Sequence, residues 1–293
     1  MIDMKKICVF LFLLLLTSSA LAQETPEANL PQDQEYTVPT GTLADQVGAM
    51  SEMTIVEDKY AGEYAKSSPQ NLSKLYWRLH VFDDGDDRAV DNYMLLNECQ
   101  IYQDNINNEF EWSIIRDTAR KMLKQKRDTF PLKFSFILPV ELGEYDPIRG
   151  GFPLSDRFNY QNIRRLEVTG NWLTTELCGK QGEIRDYPRN IMLILDKPFT
   201  YTFAKVDEHV AQAYILKKQQ EVLNLDYNMR QKRYRRPAFL RLRVDIYQYQ
   251  GNIRASQGTG VLAILQGKLQ GIDMFEDYGE TLMLSSSQVD ELQ

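Results

Sequence analysis

"FLRLRVDIY", Phe239 to Tyr247, alternates without a break: Leu240, Leu242, Val244 and Ile246 fall on one side of an extended chain, and Arg241, Arg243, Asp245 and Tyr247 on the other. Successive side chains of a strand point to opposite faces, whereas a helix would space its apolar residues three and four apart. The stretch therefore reads as a strand with an apolar and a polar side. That pattern suits an antiparallel sheet with a core beneath it and water above, and it sets Arg241 and Arg243 facing out.

Upstream, "NMRQKRYRRP" brings Arg230, Lys232, Arg233, Arg235 and Arg236 close to those two arginines, seven basic side chains between Asn228 and Arg243. The chain as a whole carries a formal charge of −7, so the cluster stands out. Arginine forks pair with phosphates and carboxylates, which makes this stretch a candidate anion- or partner-binding surface. The competing reading is a helix end. A long helical pattern opens at Asp207, carries Val210, Tyr214, Val222 and Leu223, and would stop just before Pro237. Arg233, Arg235 and Arg236 would then complement the helix dipole.

Elsewhere the pattern changes from helical to extended once. Ser68 and Pro69 suit an N-cap and first turn, followed by Leu72, Leu75, Tyr76, Leu79 and Phe82 at helical spacing. Val90, Tyr93, Met94, Asn97 and Ile101 continue that spacing, and a further helix is expected over Glu109 to Arg127 with Ile114, Ile115, Ala119, Met122 and Leu123 inward. From Leu132 the period becomes two in "LKFSFILPV", and strands are expected near 163–169, 190–196, 238–249 and 259–269. Helices followed mainly by strands define an α+β fold, a mainly antiparallel sheet with an N-terminal helical region and one long inserted helix.

The first 22 residues read as a signal peptide: Lys5 and Lys6, an apolar run from Ile7 to Leu16, then small residues ending in Ala20 and Ala22. The run is shorter than the roughly 20 apolar residues that span a bilayer, and no later stretch approaches that length. Export to the periplasm or beyond is expected, and removal of two lysines and one aspartate moves the formal charge from −7 to −8. Residues 23–48, proline-bearing and polar, read as a flexible spacer. Residues 49–293 read as one domain. Cys99 and Cys178 survive cleavage and suit a disulfide in an oxidising compartment.

Chemistry-bearing motifs are thin. "DDGDD", with Asp83, Asp84, Asp86 and Asp87, and Asp91 nearby, offers carboxylates for Ca²⁺. Its spacing departs from an EF-hand, and a solvated turn with Asp86 or Asp87 capping the next helix competes. "GTGVLA", Gly258 to Ala263, has dinucleotide-turn spacing but leads into a strand instead of a helix, so no cofactor is expected. His80 and His209 are the chain's two histidines. A pairing of His80 with Cys99 as nucleophile would need a reduced thiol. Glu109 and Glu111 could form an acid pair for glycan chemistry, although acids are common at helix starts. The expected function is a non-enzymatic binding module for an envelope protein, an anionic polymer or a headgroup, without nucleic acid. An envelope hydrolase is the alternative.

The segments "YWRLHVF" (76–82), "DNYMLLNECQIY" (91–102), "NEFEW" (108–112) and "YPRNIMLILDKPF" (187–199) together resemble a group of exported bacterial proteins classed as a domain of unknown function. The resemblance extends over most of the mature chain and implies export and a single domain, with no activity or site residue attached.

Overall fold

The computed structural model describes residues 56–158, 160–169, 176–177, 180–181, 184, 188, 190–224, 235–254 and 261–291. The expected signal peptide and spacer lie outside these residues, as do Arg230, Lys232, Arg233, Cys178 and Gly258.

A short strand, β1 (Ala65–Lys66), precedes α1 (Pro69–Arg78). Ser68 caps α1 by accepting a hydrogen bond from the Asn71 amide at 3.3 Å, and Pro69 occupies the first turn. The helix stops on His80, whose φ of 56° is left-handed. There the Val81 amide donates to Tyr76 O at 2.9 Å and the His80 amide to Trp77 O at 3.2 Å. This is a Schellman closure, with histidine where glycine is usual.

Three helices follow: α2 (Asp87–Asn97), α3 (Cys99–Asn105) and α4 (Glu109–Lys126). Asp86 caps α2 and Asn108 caps α4. Their buried residues, Val90, Tyr93, Met94, Trp112, Ala119 and Leu123, gather around Trp77 of α1 in a cluster of their own. Leu72, Leu75 and Tyr76, also on α1, belong to the main core. Ile114 departs from expectation: it is 70% exposed. The helix turns Trp112 inward instead, where its ring meets Tyr102 edge-on at 5.1 Å.

The remaining elements build the sheet. They are β2 (Lys133–Glu141), β3 (Gly151–Pro153), β4 (Tyr160–Thr169), β5 (Glu176–Leu177), β6 (Lys180–Gln181), β7 (Asn190–Tyr201), β8 (Phe203–Lys205), α5 (Glu208–Leu223), β9 (Pro237–Arg254), β10 (Val261–Phe275) and β11 (Met283–Gln288). Seven strands join in the order β1-β2-β9-β10-β7-β4, with β11 also on β10. β10 pairs with β7 in parallel, as β1 does with β2, and the other pairings of this sheet are antiparallel. The fold is α+β, and the four long expected strands are present as β4, β7, β9 and β10.

Apolar side chains of β2, β9 and β10, among them Phe134, Phe136, Leu240, Leu242, Val244, Ile272 and Met274, are fully buried. They share one core with residues of α1 and with Val210, Ala211 and Tyr214 of α5. At about 25 cal/mol per Å² of buried apolar surface, this layer is the main stabilising contribution.

Two expectations fail on this frame. α5 ends at Leu223, with Asn224 as its C-cap and no basic residue in its last turn. Arg235 and Arg236 are therefore not helical, and the dipole cannot explain them. Arg241 and Arg243 do not face water either; they are 5% and 1% exposed. The segment from Val56 to Tyr64 and the turn after β10 cover the face that the alternation had assigned to solvent.

Candidate functional site

The covered face holds a charged cluster. Asp273 of β10 sits opposite Arg241 in the β9 register and takes both arginines on one oxygen. Arg241 Nη2 lies 2.8 Å and Arg243 Nε 3.0 Å from Asp273 Oδ2. Asp58 grips Arg241 with both oxygens at 2.7 Å, and Glu280 Oε2 accepts from the same guanidinium at 2.9 Å. Ser286 donates to Asp273 Oδ1 at 2.6 Å. Arg243 lies flat on the Tyr60 ring, 3.7 Å from its centroid. On its other side Gly271 leaves the space, since a Cβ there would stand 2.1 Å from Arg243 Nη2. Burial opposes the charge on Arg241, but the hydrogen bonds to Asp58 and Asp273 overcome it and raise its pKa. The Arg241 hydrogen bond in turn holds the Asp58 carboxyl below its ordinary range. This cluster ties β9, β10 and the covering segment together, and its guanidinium charge is already matched.

The remaining nominated residues disperse. Arg235 is exposed, with Nε 4.0 Å from Glu141 Oε1. Arg236 donates to Gly143 O at 3.1 Å. Arg230, Lys232 and Arg233 lie outside the described residues. The aspartate run is turned to structure. Asp83 accepts from the Gly85 amide at 2.8 Å, and Asp84 pairs with Arg127 at 3.0 Å. Asp86 caps α2, while Asp87 pairs with Arg116 and Arg120 of α4. Asp91 holds Arg116 at 2.7 Å through both oxygens and accepts from Trp112 Nε1 at 3.1 Å. Among the described residues no group of three or more His, Cys, Asp or Glu could hold a metal ion. Glu109 and Glu111 lie exposed in the first turn of α4, where Asn108 Nδ2 donates to Glu111 Oε2 at 3.1 Å. Cys99 opens α3 and has a partner, while His80 is taken up by the α1 closure.

A concave site lies where the sheet forks. β7 pairs with β10 as far as Leu195 opposite Gly267, and β11 takes the same edge of β10 from Gly271 onward. Where one neighbour leaves and another arrives, a crevice forms, as at the strand-order switch points of open sheets. Two hollows line it. The smaller, about 180 Å³, is bounded by Asp196, Lys197, Pro198, Phe199, Lys268, Leu269, Val289 and Asp290. The larger, about 450 Å³, is bounded by Arg149, Thr200, Tyr201, Thr202, Phe203, Lys205 and Ser287.

Local structure explains how the larger hollow gains two cations. Asp146 accepts from the amides of Ile148 and Arg149 at 3.0 Å, a turn that presents Arg149 just before β3. β3 then pairs with β8, Gly151 opposite Lys205. The approach is so close that a Cβ on Gly151 would stand 2.0 Å from Ala204 O. The Arg149 guanidinium stacks on Phe203 at 3.8 Å. Neither Arg149 nor Lys205 lies within ion-pair distance of a carboxylate among the described residues, and no acid lines the hollow. The Tyr201 hydroxyl is buried beside Ser285, both without a well-formed hydrogen bond, and burial pushes its pKa up to about 12.

Sequence spacing had not nominated these residues. They come from three segments more than forty residues apart, and the nearest hints are "PIRGG" (147–151) and "YTFAK" (201–205).

Residues 84–217 match the family model described as "Domain of unknown function (DUF4852)". The match is narrower than the resemblance drawn from the sequence. It includes Arg149 and Thr200 to Lys205 and stops short of β9, β10 and β11. No curated protein and no solved structure matches the chain. Among the described residues no helix is long and apolar enough to cross a membrane.

Proposed function

We propose that this chain is an exported, non-enzymatic binding module of the bacterial envelope that contacts an anionic partner through the β7/β11 fork. One observation carries this reading: Arg149 and Lys205 converge without a carboxylate partner on a hollow that no acid lines, in an acidic protein whose Arg241 and Arg243 are already neutralised. At the smaller hollow Lys197 and Lys268 are balanced by Asp196 and Asp290, so the unmatched positive charge belongs to the larger one. The signal-peptide pattern of residues 1–22 supports export, and an envelope supplies anionic polymers and headgroups as partners.

The test is salt-dependent binding of the mature chain to an anionic envelope polymer. Exposed charges are screened within about 10 Å at moderate ionic strength, so binding by the fork should fall steeply with salt. It should also fall in the Arg149→Ala, Lys205→Ala double variant. Salt-sensitive binding that persists in that variant, yet is lost in Arg233→Ala with Arg235→Ala, would return the contact to the basic stretch between Arg230 and Arg236.

A Cys99–Cys178 disulfide belongs to the same reading. In the chain-entropy picture a loop of this length contributes roughly 4 kcal/mol. Non-reducing peptide mapping should recover one cross-linked peptide, and reduction should lower the denaturation midpoint. Alkylation of both cysteines without prior reduction would count against the bond.

A further inference from the structure

Resting on that reading of the fork, we propose that its larger hollow is a phosphoryl site and takes the phosphate ester of a polyol. The donor set distinguishes this from a carboxylate site. A carboxylate is planar, carries one charge, and is satisfied by a guanidinium fork alone. Here two cationic residues, Arg149 and Lys205, and three hydroxyl-bearing residues, Thr200, Thr202 and Ser287, line one hollow. A terminal phosphate ester has three strong acceptor oxygens and a charge near −2 at neutral pH, which matches two cations and donors from several directions.

The arrangement is prepared for such a group. Phe203 covers one face of Arg149 at 3.8 Å and leaves the N–H groups in the guanidinium plane free to donate. Thr200 Oγ1 accepts from the Asn162 amide at 3.2 Å, so its own O–H remains to donate. Tyr201 also lines the hollow, with its hydroxyl buried beside Ser285. The volume, about 450 Å³, lies within the roughly 300–1,000 Å³ typical of small-molecule sites and leaves room for a body beyond the phosphate. With one aromatic lining beside Tyr201 and otherwise polar walls, that body is hydroxylated rather than greasy.

The polyol phosphate has two sources, a free sugar or glycerol ester and a phospholipid headgroup. Calorimetry on the mature chain would compare inorganic phosphate, glycerol 3-phosphate and acetate. Phosphatidic acid vesicles, whose headgroup is a terminal phosphate monoester, against phosphatidylcholine vesicles, form the second arm. Glycerol 3-phosphate should bind more tightly than phosphate and far more tightly than acetate. Arg149→Gln and Lys205→Gln should each weaken it about tenfold or more, the loss of one charge-assisted contact. Both side chains are exposed, so unchanged thermal melts should accompany the loss. Vesicle binding with the same dependence on Arg149 and Lys205 assigns the headgroup; binding of the soluble ester alone assigns the free ester. Acetate binding as tightly as glycerol 3-phosphate, or ester binding unaffected by both variants, overturns the phosphoryl site. Should the phosphates fail while fork-dependent binding to anionic polymer persists, only this inference falls. Should both fail, the fork is not a contact at all.

Discussion

At the residue scale, Asp58 shows how a distant side chain changes the environment of a strand. It stands 183 residues from Arg241 in sequence and supplies a bidentate pair to it. Asp58→Asn leaves Arg241 with Asp273 and Glu280, so the expected loss is about 1–3 kcal/mol, read from urea denaturation at neutral pH. The pH dependence follows from the lowered Asp58 pKa. A carboxyl held below its unfolded value near 3.9 stabilises the fold above that value. That contribution fades as pH falls through the folded pKa. The wild type should therefore lose its advantage over Asp58→Asn between about pH 4 and the onset of acid unfolding. Gly271→Ala should be comparably damaging, because the new methyl meets the Arg243 guanidinium at 2.1 Å; overpacking of this kind costs about 1–3 kcal/mol. His80 makes a contrasting case. His80→Gly should be neutral or stabilising by roughly 0.5 kcal/mol, whereas His80→Val should lose about 1–2 kcal/mol, since a β-branched residue resists positive φ.

Among the elements, the α2–α4 contact is a ladder of carboxylates on one helix and arginines on the other. Asp87 and Asp91 lie one turn apart on α2, and Arg116 and Arg120 lie one turn apart on α4, so i,i+4 spacing aligns them. Asp91 anchors the ladder through Arg116 and Trp112. Asp91→Ala should cost about 1–3 kcal/mol, measured by thermal melts or denaturant midpoints. High salt should recover little of that difference, because the Asp91 pair is partly shielded from solvent. Exposed surface pairs behave otherwise and contribute about 0–1 kcal/mol. On that scale Lys133 with Glu63 should matter little to stability, and Lys133→Ala is expected to stay near wild type.

On the scale of the whole molecule, the long β9–β10 pair organises everything else. Register shifts along β10, between Ile264 and Leu265, Gln266 and Gly267, and Leu269 and Gly271, bend it where its other edge passes from β7 to β11. Bulges increase local twist and re-aim a strand, so the fork and its hollows are consequences of how β10 is paired. Gly151→Ala should disturb the larger hollow from outside it. The Ala204 carbonyl leaves no room for a Cβ, so β3 would shift from β8 and carry Arg149 away from Lys205. Ligand binding should weaken while the sheet and helices, monitored by circular dichroism, persist.

Local patterns were enough to place most elements. Ser68-Pro69, Asp86 and Asn108 mark helix starts through capping, and alternation in "FLRLRVDIY" and "LKFSFILPV" marks strands through their period of two. These signals act over a few residues, which is why they can be read in order along the chain. The same alternation named which side chains share a face, but not what lies over that face. Burial of Arg241 and Arg243 depends on Asp58, Tyr60, Asp273 and Glu280 arriving from elsewhere. An aspartate within the apolar run "GIDMF" (271–275) was the available hint. Where α5 stops and how Arg149, Lys205 and Ser287 meet were likewise settled by tertiary packing. Contacts between residues far apart in the chain come from three-dimensional closure, and no local period records them.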